Sequence, residues 1–210
     1  MLELGAGTGR LAVPFCQAGF EYTGLEQSEP YAAWARTKLE RQHLNGAIVV
    51  GDMRQFDLPG RFDFIFVGFN SFLHLLTDEE ARDCLACVRR HLSAEGRFLL
   101  DVFVPASAFL HRDPDRFYPV KEFHHPRGGT CTIRERTTYD PVREVLDVTW
   151  YFFREDDPPE RYRFSMRMLF PDTVERLLAE AGFRIVAKLG SYAGEPLTVD
   201  SPLQITIACA

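Results

Sequence analysis

The 210-residue chain is poor in three features, and each shortage narrows what it can be. Basic charge is short: 24 Lys and Arg stand against 30 Asp and Glu, a net charge of -6. A nucleic-acid partner needs a basic stripe, so none is expected. Cysteine is short and odd in number, with five at positions 16, 84, 87, 131 and 209 and no signal peptide pattern. That composition argues for reduced thiols and a cytoplasmic location rather than a disulfide framework. Cys84 and Cys87 form C-x-x-C, but inside an apparent helix and without a second pair, so they read as a buried helical face and no metal is expected. Long apolar runs are absent too. The most apolar stretch, Phe62 to Leu76, is about 15 residues, contains Asp63, Asn70 and His74, and is too short to span a bilayer, so no membrane partner is expected.

What is present begins at the first residue. Met1-Leu-Glu-Leu-Gly-Ala-Gly-Thr-Gly9 reads as a buried strand running into a glycine-rich turn and then a helix, Arg10 to Ala18. Such a turn lets a ligand lie against bare backbone, with helix amides aimed at it. A dinucleotide loop is G-x-G-x-x-G, whereas here the third glycine follows the second by two positions, giving E-x-G-x-G-x-G. A second apolar strand, Tyr22 to Leu25, ends in Glu26-Gln-Ser28, and a carboxylate at that tip can accept both hydroxyls of a ribose. The third strand, Ala47 to Val50, ends in Gly51-Asp52-Met53, and the fourth, Phe62 to Val67, in Gly68-Phe-Asn-Ser-Phe-Leu-His74. In an open parallel sheet, ligands bind outside the carboxyl ends of the strands, where these polar residues fall.

Further along, a helix over 30–44, a helix over 78–92 and a strand over 97–103 continue the alternation that defines a parallel α/β sheet. Thr77 followed by Asp78-Glu-Glu80 marks one helix start, and Arg89-Arg-His91 its end. From Pro105 the pattern changes to period-two alternation: Leu146, Val148, Trp150 and Phe152, then Tyr162, Phe164, Met166, Met168 and Phe170 between arginines. Turns are expected at Arg127-Gly-Gly129, Tyr139-Asp-Pro141 and Asp156-Asp-Pro-Pro159. A helix over 171–181 and strands over 183–190 and 203–209 close the chain. The expected architecture is one domain, 1–210: a doubly wound, mostly parallel, Rossmann-like sheet with a C-terminal antiparallel hairpin. Residues 105–170 form an antiparallel β insertion within it.

With ELGAGTG, GLEQS, GDM and FNSFLHL in this order, the chain resembles the class I S-adenosylmethionine-dependent methyltransferases of the small-molecule branch, and its insertion is similar to that of amino-sugar N-methyltransferases. The resemblance implies S-adenosyl-L-methionine as cofactor and S-adenosyl-L-homocysteine as product. Carried over by position, it implies a cofactor site of Glu3, Gly5, Ala6, Gly7 and Gly9 in the first loop, with the glycines at the methionine end. Glu26 and Gln27 would stand at the ribose, Asp52 and Met53 at the adenine, and Phe69 and Asn70 beside the sulfonium and the acceptor. It also implies that the extra strands enclose the acceptor or form a subunit interface, hence a homodimer. The family has several dozen residues before its first strand, and this sequence starts inside that strand.

The implied reaction is methyl transfer to a nitrogen or oxygen of a small molecule. An acceptor lone pair held in line behind the methyl carbon at about 3 Å needs mainly proximity. A carboxylate touching the sulfonium would stabilise the ground state more than the transition state, in keeping with Glu26 and Asp52 at the adenosine end. His74 is the candidate catalytic base for an acceptor that must lose a proton, its other reading being a packing histidine. The alternatives are a non-catalytic relative of the same fold and a nicotinamide-dependent oxidoreductase, the latter disfavoured by the glycine spacing.

Overall fold

The computed structural model describes residues 1–125, 128–154 and 157–210. The chain divides into two compact units, Met1–Val104 with Phe170–Ala210, and Pro105–Leu169.

In the first unit the strands are β1 (Leu2–Leu4), β2 (Tyr22–Glu26), β3 (Gly46–Val50), β4 (Phe62–Val67) and β5 (Leu92–Phe103), with helices α1 (Ala12–Gln17), α2 (Glu29–Arg41) and α3 (Asp78–His91) among them. β5 begins five residues earlier than its apolar run, and its register with β4 shifts between Phe62 and Phe64. α1 is shorter than expected because the chain is still turning through Leu11. Ser28 caps α2 by accepting from Tyr31 N, with Pro30 in the first turn, where its missing N–H costs nothing. Thr77 caps α3 by accepting from Glu80 N at 3.2 Å, while Glu80 reaches back to Leu76 N at 2.7 Å. Cys84, Leu85, Cys87 and Val88 form the buried face of α3.

The sheet order is β10-β11-β5-β4-β1-β2-β3, where β10 (Arg184–Leu189) and β11 (Leu203–Cys209) follow α5 (Pro171–Glu180). All pairs from β5 through β3 are parallel, and β10, β11 and β5 pair antiparallel, as the C-terminal hairpin requires. β1 therefore lies between β2 and β4. The chain winds to one side from β1 through β3 and crosses to the other at β4, which opens a crevice at the carboxyl end of β1. Apolar side chains fill the sheet, among them Leu2, Leu4, Leu25, Ile65, Phe98 and Leu100.

The second unit holds α4 (Ser107–Leu110) and an antiparallel meander of β6 (Tyr118–His124), β7 (Thr130–Asp140), β8 (Val145–Arg154) and β9 (Asp157–Arg167), in that spatial order. β7 and β8 pair from Thr132↔Phe153 to Asp140↔Val145 without a register shift. Asp140 Oδ1 tightens the turn after β7 by accepting from Val142 N at 2.9 Å. Of the other expected turns, Arg127 and Asp156 lie outside the described residues. Asp157, Pro158 and Pro159, expected in a turn, belong instead to β9. β9 is an edge strand, the one place in a sheet where a residue without an N–H is tolerated. The predicted alternation sets the faces: Leu146 pairs with Met166, Val148 with Phe164 and Trp150 with Tyr162.

Candidate functional site

The glycine loop is pinned to β2 by two amides, Gly5 N and Ala6 N, which donate to Leu25 O at 2.8 and 3.0 Å. Gly5 (φ +72°) packs so closely that a Cβ there would lie 3.0 Å from Ser71. Gly7 (φ +56°) faces open space, with no atom within 4 Å of where a Cβ would be. Backbone is thus left bare beside the crevice. Gly9 meets α2, where a Cβ would lie 2.9 Å from that of Ala35. Ala6 is buried beneath the loop.

Glu3 is not on the crevice. It is buried in β1 and accepts the Tyr22 hydroxyl hydrogen bond, and burial pushes its carboxyl up to about 7. Its place is within β1, against Tyr22 of β2.

Glu26 is at the tip of β2 as the sequence implies. Its Oε2 accepts from Gly7 N at 2.7 Å and its Oε1 from Ser28 N at 2.8 Å. Each carboxylate oxygen has a second acceptor direction, so the two amides fix the group while leaving capacity for a diol. Gln27 is beside it and exposed.

At the end of β3 the two expected residues part. Met53 faces the crevice, whereas Asp52 is turned onto Arg54, whose Nη2 and Nε donate to Oδ2 at 2.6 and 2.9 Å. That guanidinium holds the Asp52 carboxyl below the usual carboxylate range and also donates from Nη1 to Glu80 at 2.5 Å. Asp52 faces a neighbouring groove with Asp57 and Asp83.

After β4, Phe69 and Asn70 both take positive φ, 53° and 66°. Asn70 Oδ1 accepts from Phe103 N at 2.8 Å, and Phe69 N donates to Asp101 Oδ2 at 3.2 Å, so the loop is anchored on β5. The Phe69 ring is half exposed beneath the Arg10 guanidinium, 3.5 Å from its centroid. Neither residue lines the crevice; Ser71 and His74, on the following 3-10 turn, do.

The crevice is a cavity of about 290 Å³. It is lined by Gly5 and Gly7 of the glycine loop, by Leu25, Glu26 and Gln27 at the end of β2, by Gly51 and Met53 after β3, and by Tyr31, Ser71 and His74. Of the expected residues it gathers Gly5, Gly7, Glu26, Gln27, Met53 and His74. The set fits an adenosine: a diol acceptor, an apolar face beside it and bare amides. Sequence reasoning missed Tyr31 and Ser71, which only the close approach of α2 and of the 3-10 turn brings in. It also missed Asp101, buried at the end of β5 and accepting from the Tyr192 hydroxyl at 2.6 Å. A carboxylate interrupting the apolar run Phe98 to Phe103 was the available signal. Burial and Asp101 together push the Tyr192 phenol up. Among the described residues no cluster of three or more His, Cys, Asp or Glu is arranged to hold a metal, and no helix is long and apolar enough to cross a membrane.

Comparison with known proteins fits this geometry. Residues 1–96 match the family described as Methyltransferase domain. The chain is 33% identical over 211 aligned positions to the glycine/sarcosine N-methyltransferase of Halorhodospira halochloris, across 99% of this chain and 74% of that protein. The CcbJ methyltransferase from Streptomyces caelestis shares its fold, with a TM-score of 0.86 at 24% identity, covering 100% of this chain and 82% of that one. The glycopeptide N-methyltransferase MtfA complexed with S-adenosyl-L-methionine superposes with a TM-score of 0.65 at 28% identity, covering 99% and 79%.

Proposed function

Because the chain belongs to the S-adenosylmethionine-dependent methyltransferases, we propose that it methylates an amine nitrogen of a small-molecule acceptor. The observation that carries the nitrogen is its similarity to a glycine/sarcosine N-methyltransferase over nearly its whole length, and the glycopeptide N-methyltransferase supports the same reading. Bound cofactor supplies a methyl carbon already activated by its sulfonium. The chain's own part is to bind, orient and exclude water.

In this reading Glu26 holds the ribose hydroxyls, fixed by the amides of Gly7 and Ser28. Met53 and Leu25 wall the adenine, and the bare backbone at Gly5 and Gly7 admits the methionine end. Glu3 and Ala6 support the loop from behind, Gly9 seats it on α2, and Gln27 edges the ribose. Asp52, tied to Arg54, keeps the turn after β3 in shape so that Met53 faces inward. Phe69 and Asn70, anchored to β5, position the rim on the acceptor side. His74 takes the proton that an amine sheds. Residues 105–170 serve as an insertion within a single domain, 1–210, and a homodimer built on them is the assembly proposed.

Coupled detection of S-adenosylhomocysteine over matched amine and alcohol panels tests the acceptor. Turnover confined to amines is expected, and turnover confined to alcohols overturns the nitrogen. His74→Ala should lower kcat about 100-fold or more, read at saturating cofactor because His74 also borders the cofactor crevice. Light scattering tests the assembly, a monomer at micromolar concentration being the adverse result.

A further inference from the structure

A concentration of basic side chains in the first unit lies away from the residues that line the cofactor crevice. A groove of about 560 Å³ between α3 and the end of α5 is lined by Arg61, Arg82, Arg89 and Arg90, together with Ala86, Glu180 and Ala181. Two of the four are fixed by uncharged partners: Arg61 Nη1 donates to Leu92 O at 2.9 Å, and Arg90 Nη2 to Phe56 O at 3.3 Å and to Cys87 Sγ at 3.1 Å. These bonds orient the guanidinium groups without neutralising them, and each leaves several of its five N–H donors unused. Arg89 lies flat on Gly182, so close that a Cβ there would sit 3.1 Å from its Cζ. Among the described residues, Arg61, Arg89 and Arg90 have no carboxylate within ion-pair distance. Glu180 is already shared by Arg82 at 3.6 Å and Arg176 at 3.0 Å.

Helix capping accounts for part of this, since Arg89 and Arg90 are in the last turn of α3, where cations are favoured. Arg61, which precedes β4, serves the same helix end through the carbonyl of the cap residue Leu92, but that bond uses one of its five N–H donors and leaves its charge unpaired. Three uncompensated guanidinium groups facing one concavity repel one another, and an oxyanion with several acceptors relieves that repulsion while taking paired N–H bonds. We infer that this groove binds a phosphorylated small molecule at a site distinct from the cofactor crevice, Arg61 standing before the first residue of β4 and the crevice at the carboxyl ends of the strands. A polymer is disfavoured by the adjoining groove, which shares Ala86 and Arg90 but carries Asp52, Asp57 and Asp83, so an extended polyanion leaving the arginines would run onto carboxylates.

Calorimetric titration with inorganic pyrophosphate in about 0.1 M salt tests the site. A saturable isotherm with one equivalent is expected, weakened at least about tenfold by Arg89→Ala and by Ala86→Glu. Ala86 is exposed, so the second variant inserts a negative charge without deleting any contact that could matter for folding. Arg161→Ala, on exposed β9, should leave the isotherm unchanged. No saturable heat, or equal affinity in parent and Ala86→Glu, overturns the site and leaves the arginines as helix caps, which would show in melting temperature alone. A single-stranded oligonucleotide displacing pyrophosphate at far lower concentration overturns the small-molecule assignment.

Discussion

The two sheets spend their carboxylates differently. In the parallel sheet, strands run the same way, so their carboxyl ends gather Glu26, Met53, Ser71 and His74 at one crevice, and polar groups there are free to serve a ligand. In the antiparallel meander successive strands run oppositely, no such end exists, and polar groups are consumed within the faces. Glu135 accepts from Arg112 at 2.8 Å and from Trp150 Nε1 at 3.1 Å, and Arg136 stacks 4.3 Å from the Phe117 centroid. Topology thus decides where carboxylates collect: at one shared end in the parallel sheet, where Glu26 borders the crevice while Asp52 and Asp101 are tied to neighbours, and across the faces in the meander.

The largest effect should come from Glu3, a carboxylate buried within β1 of the parallel sheet against the Tyr22 hydroxyl. Burial raises its folded-state value from 4.5 to about 7. The folded chain therefore keeps a proton that the unfolded chain releases between those limits, so the stabilisation present below pH 4.5 is lost as pH rises to 7. The loss is about 3 kcal/mol at roughly 1.4 kcal/mol per pH unit. Glu3→Gln mimics the protonated form and keeps an acceptor for Tyr22. Denaturation of both proteins across pH 4 to 8 should give curves that diverge in favour of the variant from about pH 4.5 upward. Parallel curves would mean that Glu3 is ionised inside the fold.

Next in size is Glu26→Ala, expected to remove a charge-assisted pair of bonds worth roughly 1.5 to 3 kcal/mol, or about 10- to 150-fold in affinity for S-adenosylhomocysteine. In the parent, S-adenosylhomocysteine at 100 times its Kd should stabilise the fold by about 2.7 kcal/mol, and NAD at the same concentration should not. Calorimetry reads the first and thermal shift the second. Undiminished binding by the alanine variant would remove Glu26 from the ribose and blur the distinction between the sheets.

The parallel half was legible because its signals are local and redundant: glycine spacing, a carboxylate at a strand tip, a cap at Thr77. What escaped depends on distant partners. Asp52 could be placed at the end of β3 but not assigned to Arg54, because two residues later an arginine may bend either way until Glu80 on α3 fixes it. Glu3 looked like a site residue because the motif includes it, and only the Tyr22 hydroxyl and the depth of β1 show it within the strand, against β2. In the meander, period-two alternation marked stretches of β8 and β9, but Tyr162 is exposed and Arg167 buried, Met168 and Phe170 lie beyond β9, and Pro158 and Pro159 read as a turn because nothing local says that β9 is an edge.

The smallest effect should come from the meander's own carboxylate. Glu135→Gln leaves an oxygen for Trp150 Nε1 but takes the charge away from Arg112, within a pair whose side chains are 14% and 27% exposed. The expected cost is about 1 kcal/mol, read as a fall of about 2–4 °C in Tm. Trp150 emission should shift while the half-exposed Trp34 on α2 reports no change. S-adenosylhomocysteine affinity should stay at the parent value, because every group assigned to the cofactor belongs to the parallel sheet's strands and loops. If Glu135→Gln weakened that affinity as much as it lowered Tm, the meander would be contributing to the site, and its polar groups could no longer be counted as serving only one another.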